Sequence, residues 1–596
     1  MIQFSNMKGT ILGIHYGHDA TVALMVDGTL VEAMSEERVS RQKKHAGFPH
    51  EALAYIIEKY NCHNPEKVVV VGVNFSAIYF TSKQDNIDAR NNPRFSDDFI
   101  RAMGARFPIL GKAIKARYEV IDFFVHAGKK ESIKKDLKSR FPHSEIEFVE
   151  HHHAHAWCAP LFFDDASKKI ILTLDGAGDL LSGTISLFDG RNVKIESRIP
   201  VYSSLGLLYS AVTDILGMSR NEHEFKVMGL APYAKASSGE KVYQKLKKLV
   251  WFDEGEMTIK SVLPQRKAVA YATSYLYAYN FHHHRFDSLA YGIQKLTEEI
   301  IKDMARATIK KYGISDIAVA GGVFMNVKAN QYLLELPEVT SLTVVPSCGD
   351  ESLALGACAY GYSLLHKGDL SGLKKVNTLY LGSSYDNETI KKALDKDPFV
   401  SSSCTVTYFD PSKGNIIERK VAELLADNQV VGRFKGRAEW GARALGNRSI
   451  LANPTSRDNI KLINEMIKGR DFWMPFATSL LYEDRDTYLQ VTKDHFAPYM
   501  AITFNTKEKA HKDLIAALHP YDLTSRPQMV TKEMNKEYHA LISHFKTLTG
   551  SGGILNTSFN LHGEPNVEKP EDALHTLKDS GLKYLAIGDY LVEKRG

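Results

Sequence analysis

Apolar and polar positions alternate in two stretches near the start of the chain, 20–26 and 29–34, which are joined by Asp27 and Gly28. An Asp-Gly pair between alternating apolar runs predicts a two-residue β-hairpin. A third apolar stretch, Thr10–Ile14, precedes them and ends in a polar loop. The opening of the chain is therefore predicted to be a strand, a polar loop and a hairpin.

The same layout recurs later in the chain. The apolar strand Lys169–Leu174 leads into the polar loop 175–179, and the strand Thr184–Phe188 follows before a turn at Asp189 and Gly190. Two strand–loop–hairpin units with polar loops at strand ends predict an α/β fold with a duplicated domain of the actin and sugar-kinase kind. Because hairpins with Asp-Gly turns are common, a chance similarity between two unrelated hairpins stays open at this point.

Apolar residues spaced three and four apart predict helices between the strands. These helices are expected at Pro49–Tyr60, 95–128, 129–141, Tyr202–Met218, Glu240–Val250, Ser288–Tyr312 and Glu351–His366. Two more apolar strands are predicted at Asp316–Ala320 and Leu342–Val345. The polar, glycine-containing run 367–377 is predicted to be a linker, which gives domains 1–366 and 378–596.

Composition narrows the class of protein. A chain of 596 residues is too long for one core, and 44% hydrophobic with 24% charged residues is ordinary for a globular protein. A net charge of +5 does not indicate nucleic-acid binding, and no apolar run reaches membrane-spanning length. The five cysteines form no CxxC pair, which fits a reducing compartment and argues against a thiolate zinc site. A cytoplasmic protein is predicted.

A histidine-rich stretch supplies the first candidate chemistry. His151 and His155 are four residues apart, so on a helix both imidazoles lie on one face. Asp175 and Asp350 each follow an apolar strand, where side chains meet at the carboxyl edge of a sheet. Such mixed ligands suit Fe(II), Mn(II) or Zn(II) without discriminating among them. The alternative is a solvated histidine run, of which the stretch 282–284 is a second example without nearby strand-end carboxylates.

Two further groups of residues indicate anion or nucleotide binding. Gly321 and Gly322 lie between a strand and a helix, where backbone N–H groups can meet phosphate or ribose, although tight turns also use such pairs. The second domain carries basic side chains in loops rich in Gly, Asn and Ser, which suits a phosphate pocket. The residues favoured as ligands there are Arg443, Arg448, Lys468 and Arg470, whereas Arg433 and Arg457 are interpreted as solvent-exposed. RNA binding is a rival use of these charges, but aromatic residues are not interleaved with them.

These motifs together resemble the NodU/CmcH/TobZ family of O-carbamoyltransferases. The matching stretches lie in the family's order along nearly the whole chain, at 13–20, 151–159, 175–179, 204–213, 226–233, 321–326, 348–352, 436–454, 463–477 and 555–565. One departure is Ala442, where the family commonly has proline.

The resemblance implies an N-terminal half similar to TsaD, an ASKHA-type duplicated domain, and a YrdC-like α/β C-terminal half. It implies carbamoyl phosphate and ATP as cosubstrates, with Mg accompanying ATP and iron as the family metal. The C-terminal domain would form a carbamoyl-adenylate, and the N-terminal domain would pass the carbamoyl group to a hydroxyl of a small-molecule acceptor. No nucleic acid and no membrane is expected as a partner, and a homodimer is allowed for.

Residue roles follow from the same resemblance. The metal ligands would be His151, His155, Asp175 and Asp350. Carbamoyl phosphate would be bound by Arg443, Arg448, Lys468, Arg470, Arg526 and Asn556, with Lys468 also catalytic. The nucleotide would lie near Gly176, Gly178, Gly321, Gly322 and Asn326. The proposed general base is His18, oriented by Asp19, although His18 could instead hydrogen-bond the strand turn.

The acceptor is the least determined part of this interpretation. Glu222, Glu224 and Lys226 are predicted to contact it, and the two acids weakly favour a cationic acceptor such as an aminoglycoside or a guanidinium toxin. A solvated loop explains these residues as well. Rival functions are a tRNA-modifying threonylcarbamoyl-type enzyme or nucleic-acid-binding protein built on the same domains, a hydrogenase-maturation protein like HypF, and a sugar kinase.

Overall fold

The computed structural model describes residues 9–71, 130–262, 269–413 and 416–595. The predicted helix at 95–128 lies outside these residues. Of the predicted helix at 129–141, residues 130–140 are helical.

The N-terminal half contains two five-stranded sheets with the same strand order. In spatial order the first sheet consists of Thr29–Ser35, Thr21–Val26, Thr10–His15, Lys67–Val71 and Glu145–Val149. The second sheet consists of Val193–Pro200, Leu181–Phe188, Lys169–Gly178, Asp316–Ala320 and Ser341–Val344. In both sheets the first three strands in sequence pair antiparallel, and the later two add in parallel. The predicted duplicated α/β domain is therefore confirmed by topology.

The first hairpin forms where it was predicted. Val26 pairs with Thr29, and the two residues between them have φ angles of 47° for Asp27 and 74° for Gly28. Positive φ at both central residues matches the right-handed twist of the flanking strands, which explains the Asp-Gly preference.

The helices mostly follow the apolar spacing. Those of the N-terminal half are Glu36–Ser40, His50–Tyr60, His151–Cys158, Leu205–Ile215, Glu224–Leu230, Ala236–Leu246, Val269–Ala278, Phe286–Tyr312, Val327–Glu335 and Leu353–Leu365. Those of the C-terminal domain are Asn387–Lys396, Pro398–Ser403, Ile416–Ala426, Asp458–Ile463, Arg485–Tyr488, Glu508–Asp513, Lys536–Thr549 and Pro570–Lys578. Among the described residues, no helix combines the length and the apolar character that crossing a membrane requires.

Two predicted helices differ from the observed bounds by three residues or more at each end. The helix expected at Tyr202–Met218 starts at Leu205, because the Ser204 hydroxyl accepts the N–H of Leu207 at 3.0 Å and caps its first turn. The helix expected at Glu240–Val250 ends at Leu246, because Val250–Asp253 pairs as a strand with Thr258–Ser261.

The helix Leu353–Leu365 sets the geometry of the N-terminal half. It packs closely on one side against the strand Thr10–His15 and on the other against the helix His151–Cys158. A Cβ on Gly13 would lie 2.0 Å from the Ala354 carbonyl oxygen, and a Cβ on Gly356 would lie 1.9 Å from the Ala154 carbonyl oxygen. Only glycine permits such close approach of two backbones. Asp350 lies just before this helix, so the close packing brings it beside the helix His151–Cys158.

The C-terminal domain is built on one mixed sheet of eight strands. In spatial order these are Cys404–Tyr408, Tyr590–Lys594, Tyr584–Ile587, Val431–Phe434, Arg448–Ala452, Gly553–Ser558, Ala477–Leu481 and Pro527–Val530. Trp440, Leu445 and Leu480 of this domain belong to the same buried apolar cluster as the core of the N-terminal half. The predicted linker 367–377 holds no helix or strand, and Val376 donates its N–H to the Leu161 carbonyl at 2.7 Å.

Candidate functional site

The helix His151–Cys158, here called the histidine helix, has a rigid first turn. The Glu150 carboxylate accepts the N–H groups of His152 at 2.8 Å and His153 at 2.9 Å. The Asp179 carboxylate accepts the N–H of His151 at 2.8 Å. Acidic side chains at a helix N-terminus satisfy its unpaired N–H groups and stabilise it, so the start of the helix is well determined.

The four predicted metal ligands lie together, with donor atoms of His151, His155, Asp175 and Asp350 within 4.8 Å of one another. The Nε2 atoms of His151 and His155 are 3.3 and 3.2 Å from Asp175 Oδ2, and each is 3.5 Å from Asp350 Oδ1. His151, His155 and Asp350 are buried. Among the described residues this is the one such cluster of donor groups, and the stretch 282–284 is not part of any.

The charges of this cluster also fit a divalent cation. Burial alone would raise the pKa of Asp175, but hydrogen bonds from His151 and His155 hold it well below its ordinary value. Burial disfavours a charged His151, but Asp350 and Asp175 outweigh it and raise the pKa of His151 to about 9. Asp175 and Asp350 likewise raise the pKa of His155 against the effect of burial, so the cluster favours positive charge beside its two carboxyl groups. The nitrogen and oxygen donors suit Fe(II), Mn(II) or Zn(II).

Two glycines make room for these ligands. A Cβ on Gly178 would lie 2.2 Å from His151 Cγ, and a Cβ on Gly322 would lie 2.8 Å from Asp175 Oδ1. Gly321 has a φ of 94°, and a Cβ there would lie 2.3 Å from the Leu174 carbonyl oxygen. Gly176 is different, because a Cβ there would make only an ordinary contact with Leu207 at 3.7 Å. Packing around the metal ligands therefore accounts for three of the four glycines predicted to contact nucleotide.

His18 lies at the rim of the same cluster. Its Nε2 is 3.1 Å from Asp350 Oδ2, and its Nδ1 is 3.0 Å from Asp19 Oδ2, so Asp19 is placed to orient the ring. Burial would lower the pKa of His18, but Asp350 and Asp19 outweigh it and raise this pKa to about 10. The alternative role for His18 was a hydrogen bond to the strand turn. The ring that contacts this turn belongs to His15, whose Nε2 lies 2.9 Å from the His18 carbonyl oxygen. The His18 side chain is 42% exposed, whereas the rings of His151 and His155 are buried.

Four basic residues of the C-terminal domain form a second group, here called the cationic cluster: Arg443, Lys468, Arg470 and Arg526. Burial and then Arg443 lower the pKa of Arg470 to about 10. Burial, followed by Arg443 and Arg470, lowers the pKa of Arg526 well below its usual value. Among the described residues, none of the four forms an ion pair with a carboxylate. A group of cations without counter-ions is the arrangement that binds an anion.

Hydroxyl and amide groups at the end of the strand Gly553–Ser558 line this cluster. Arg470 Nη2 donates to Thr557 Oγ1 at 2.8 Å. Lys468 Nζ donates to Ser558 Oγ at 3.2 Å and to Asn560 Oδ1 at 2.9 Å. Sequence reasoning did not select these three partners, although their polar run directly after an apolar strand was visible.

The two groups of residues are neighbours across the domain boundary. Glu351, the residue after Asp350, lies close to Arg443. Burial lowers the pKa of Arg443, and the nearby Glu351 carboxylate opposes that effect. The N–H of Ala442 donates to Ser347 Oγ at 3.0 Å, a bond that the proline common in the family could not make. The cationic cluster therefore approaches the metal-ligand cluster through Arg443, at the contact between the domains.

Two further arginines of the C-terminal domain are buried. Arg448 is completely buried and donates to the backbone carbonyls of Lys435, Gly436, Asn447 and Ser383. Both terminal nitrogens are thus bonded to the backbone, whereas the buried Nε has no hydrogen-bond partner among the described residues. Direct contact of Arg448 with carbamoyl phosphate stays a prediction. The interpretation of Arg433 as exposed was wrong, since it is 1% exposed and donates to the Gly446 carbonyl and to Asn447 Oδ1.

Two predicted asparagine contacts are also occupied by the protein itself. The Asn556 amide is buried and donates to the Ala444 carbonyl at 3.2 Å and to Ser479 Oγ at 3.0 Å. Asn326 caps the helix Val327–Glu335 and exchanges two hydrogen bonds with Gln294. Both side chains therefore have a structural task, and their contact with a ligand stays a prediction.

The loop predicted to contact the acceptor lies at the same domain boundary. Lys226 Nζ pairs with Asp471 Oδ2 at 2.9 Å, and Trp473 Nε1 donates to the Lys226 carbonyl at 3.2 Å. Glu224 accepts the Ser210 hydroxyl at 2.5 Å and the Asn221 N–H at 2.8 Å, so its carboxylate is used locally. Glu222 is half-buried.

Comparison with known proteins identifies the family. The carbamoyltransferase N-terminus model matches residues 10–359, and the carbamoyltransferase C-terminus model matches residues 422–594. The chain belongs to the carbamoyltransferase family. It is therefore an enzyme that transfers a carbamoyl group, and the resemblance noted from its motifs is confirmed.

Named relatives of this carbamoyltransferase include a nodulation protein and a cephem O-carbamoyltransferase. Nodulation protein NolNO of Sinorhizobium fredii (strain NBRC 101917 / NGR234) is 28% identical over 588 residues, which are 97% of this chain and 79% of that protein. The 3'-hydroxymethylcephem-O-carbamoyltransferase of Amycolatopsis lactamdurans is 26% identical over 466 residues, 76% of this chain and 82% of that enzyme. The solved structure of T.kodakarensis HypF aligns at 12% identity with a TM-score of 0.31, over 62% of this chain and 50% of that one.

Proposed function

We propose that this carbamoyltransferase makes a carbamoyl-adenylate from carbamoyl phosphate and ATP and transfers its carbamoyl group to a hydroxyl of a small-molecule acceptor. The observation that carries the proposal is a cationic cluster that forms no ion pair with a carboxylate of the described residues and that approaches four nitrogen and oxygen metal ligands through Arg443. Each half of the reaction thereby has a site of suited chemistry, and an intermediate would have a short path between them.

The first half-reaction is assigned to the C-terminal domain. Arg443, Arg470 and Arg526 would hold the phosphate of carbamoyl phosphate, and Lys468 would supply a further positive charge. Water cleaves carbamoyl phosphate to carbamate and inorganic phosphate. A carbamate oxygen then bonds to the α-phosphorus of ATP, which displaces pyrophosphate and leaves the carbamoyl-adenylate. Lys468 is suited to bind the phosphate anion because it is buried among neutral hydrogen-bond acceptors and forms no ion pair with a carboxylate of the described residues.

The second half-reaction is assigned to the N-terminal domain. The acceptor oxygen bonds to the carbamoyl carbon, the bond from that carbon to the AMP oxygen breaks, and the hydroxyl proton passes to a base. We propose His18 as this base, because its ring is partly exposed, lies at the metal-ligand cluster and is oriented by Asp19. Its raised pKa comes chiefly from Asp350, and a divalent cation held by Asp350 would offset that effect and leave the ring free to accept the proton. The products are a carbamate ester and AMP.

A divalent metal fits the donor set formed by His151, His155, Asp175 and Asp350, and Fe(II) is the ion that the family resemblance favours. Such an ion would supply Lewis-acid stabilisation of developing negative charge when bound. Ser352 Oγ lies 3.4 Å from His155 Nδ1, which orients that ring toward the cluster. ATP would bring its own Mg, and the nucleotide of the adenylate is proposed to lie near Gly176 and Asn326.

The acceptor is proposed to approach along the loop that carries Glu222. A cationic, polar small molecule is favoured weakly, because Glu222 is the acid of that loop whose carboxylate is not committed to the local hydrogen bonds described for Glu224. Changing Glu222 to Gln should raise the acceptor KM without affecting pyrophosphate release, and an unchanged KM would remove this part of the proposal. We place the enzyme in a reducing compartment such as the cytoplasm, since all five cysteines are free and buried.

Pyrophosphate release from carbamoyl phosphate and ATP, measured without and with a panel of hydroxyl acceptors, tests the proposal. Wild type should release pyrophosphate only when both cosubstrates are present. Lys468→Ala should abolish release, whereas Lys391→Ala, which removes an exposed lysine paired with Asp395, should retain it. Folded, metal-loaded wild type that releases no pyrophosphate with any acceptor would refute the adenylation chemistry.

A further inference from the structure

Glu32 is a completely buried carboxylate that lies outside both sites and accepts hydrogen bonds from four side chains. Tyr60 OH donates at 2.5 Å, Tyr55 OH at 3.2 Å, and Lys59 Nζ lies 2.9 Å from each carboxylate oxygen. The fourth donor is Arg437 Nη2 at 2.9 Å, and this arginine belongs to the C-terminal domain. Because a buried charge is tolerated only when it is well paired, Glu32 ties the first sheet to that domain.

Arg437 makes more contacts than this ion pair. Its Nη2 also lies 2.9 Å from the carbonyl oxygens of Val31 and Leu381, and its Nε donates to the Gly382 carbonyl at 3.1 Å. The planar guanidinium can address such divergent acceptors at once, which the single ammonium of a lysine cannot do. Arg437 is also the first residue of the segment 437–447, here called the bridging loop, which carries Arg443.

The N-terminal half contacts the bridging loop at two further points. Arg38 Nη2 donates to the Glu439 carbonyl at 3.3 Å, and Ser347 Oγ accepts the N–H of Ala442 at 3.0 Å. The C-terminal domain holds the other end of the loop, since the Ala444 carbonyl accepts from Asn556 and the Leu445 carbonyl accepts from Gln528. Residues of both domains therefore set the position of Arg443.

We propose that Glu32 and Arg437 are a positioning pair that places Arg443 for anion binding in the cationic cluster. Glu32 does not touch the anion. It holds Arg437, Arg437 holds the start of the bridging loop, and the loop holds Arg443 beside Glu351 and the metal-ligand cluster. The pair thus keeps the two sites in register, and this inference rests on the proposed use of the cationic cluster for carbamoyl phosphate.

Two variants separate positioning from simple stabilisation. Glu32→Gln keeps the size of the side chain but removes its charge, and Arg437→Lys keeps a cation for Glu32 but loses the fork that reaches the carbonyls. Each should raise the KM for carbamoyl phosphate about tenfold in the pyrophosphate assay, with the KM for ATP unchanged. Each should also weaken the binding of inorganic phosphate, titrated by calorimetry, by a similar factor. The double variant should be no worse than the single ones, since both changes break the same connection.

Glu564→Gln is the matched control, because Glu564 also pairs across the domains, with Arg41 at 3.8 Å, but away from the bridging loop. It should leave both measurements unchanged. A lower melting temperature with unchanged phosphate affinity and unchanged KM in Arg437→Lys would overturn the proposal and leave the pair a structural contact. Should Glu32→Gln fail to fold, Arg437→Lys decides the question. If wild type binds phosphate but releases no pyrophosphate, the proposed function fails, while the calorimetric comparison still tests the pair.

Discussion

Replacing Gly178 by alanine should destroy the metal-ligand cluster while leaving the fold in place. The added Cβ would lie 2.2 Å from Cγ, 2.3 Å from Cδ2 and 2.6 Å from Nδ1 of the His151 ring. Carbon atoms in contact prefer about 3.5–4.0 Å, so the ring must retreat by about 1.3 Å or more. Metal-ligand bonds tolerate only about 0.2 Å of error, so His151 would no longer reach an ion shared with the other three ligands.

The size of the effect follows from these distances. Loss of a correctly oriented ligand should weaken metal binding by about 100-fold, the upper end of the loss seen when a ligand's orienting partner is removed. Overpacking of this kind costs about 1–3 kcal/mol, which a folded domain survives. The variant should therefore remain folded and lose its metal.

Metal-depleted protein is titrated with Fe(II) under anaerobic conditions, and separately with Mn(II) and Zn(II), in competition with a chelator of known affinity. Bound metal per chain is then counted by elemental analysis, and circular dichroism checks the fold. Gly176→Ala is the control, because its Cβ meets only Leu207 at 3.7 Å. A folded Gly178→Ala protein that binds metal within twofold of wild type would refute the role of His151, and a wild type that binds none of the three ions would refute the site.

Two further predictions concern stability. Arg448→Met should destabilise the protein by about 3–5 kcal/mol in chemical denaturation, because it leaves several buried carbonyls and nearby acids without their cation. The control Arg457→Met changes an exposed residue and should alter the free energy of unfolding by no more than about 0.5 kcal/mol. Equal effects of the two changes would contradict the structural role of Arg448. Burial would raise the pKa of Asp522, but His519 and Lys328 outweigh it and lower this pKa, so Asp522 contributes stability at neutral pH that is lost as the pH falls below about 5. Melting temperatures measured from neutral to acid pH should therefore fall less steeply in Asp522→Asn than in wild type or in the exposed control Glu508→Gln, and parallel curves would contradict this assignment.

Much of the N-terminal half could be predicted from the sequence because its signals are local. The Asp27–Gly28 turn, the apolar strands and the four-residue spacing of His151 and His155 each depend on a few neighbouring residues. Helix bounds were less predictable, since the side chain of Ser204 decided where one helix began. The metal-ligand cluster could be anticipated because strand ends of one sheet converge on the same edge, whatever the length of chain between them.

The residues that only tertiary structure placed are those whose partners are distant in sequence. Arg443 and Arg448 occur in the same glycine-rich stretch and look alike as candidate anion ligands. Pairing of the strand Arg448–Ala452 inside the eight-stranded sheet buries Arg448, while Arg443 stays in the loop that crosses to the other domain. Glu32 likewise gave no signal, because its partner Arg437 lies 405 positions away. Local periodicity determines which residues form a helix or a strand, but burial and charge pairing depend on which distant surfaces pack together, and that is decided only when the whole chain folds.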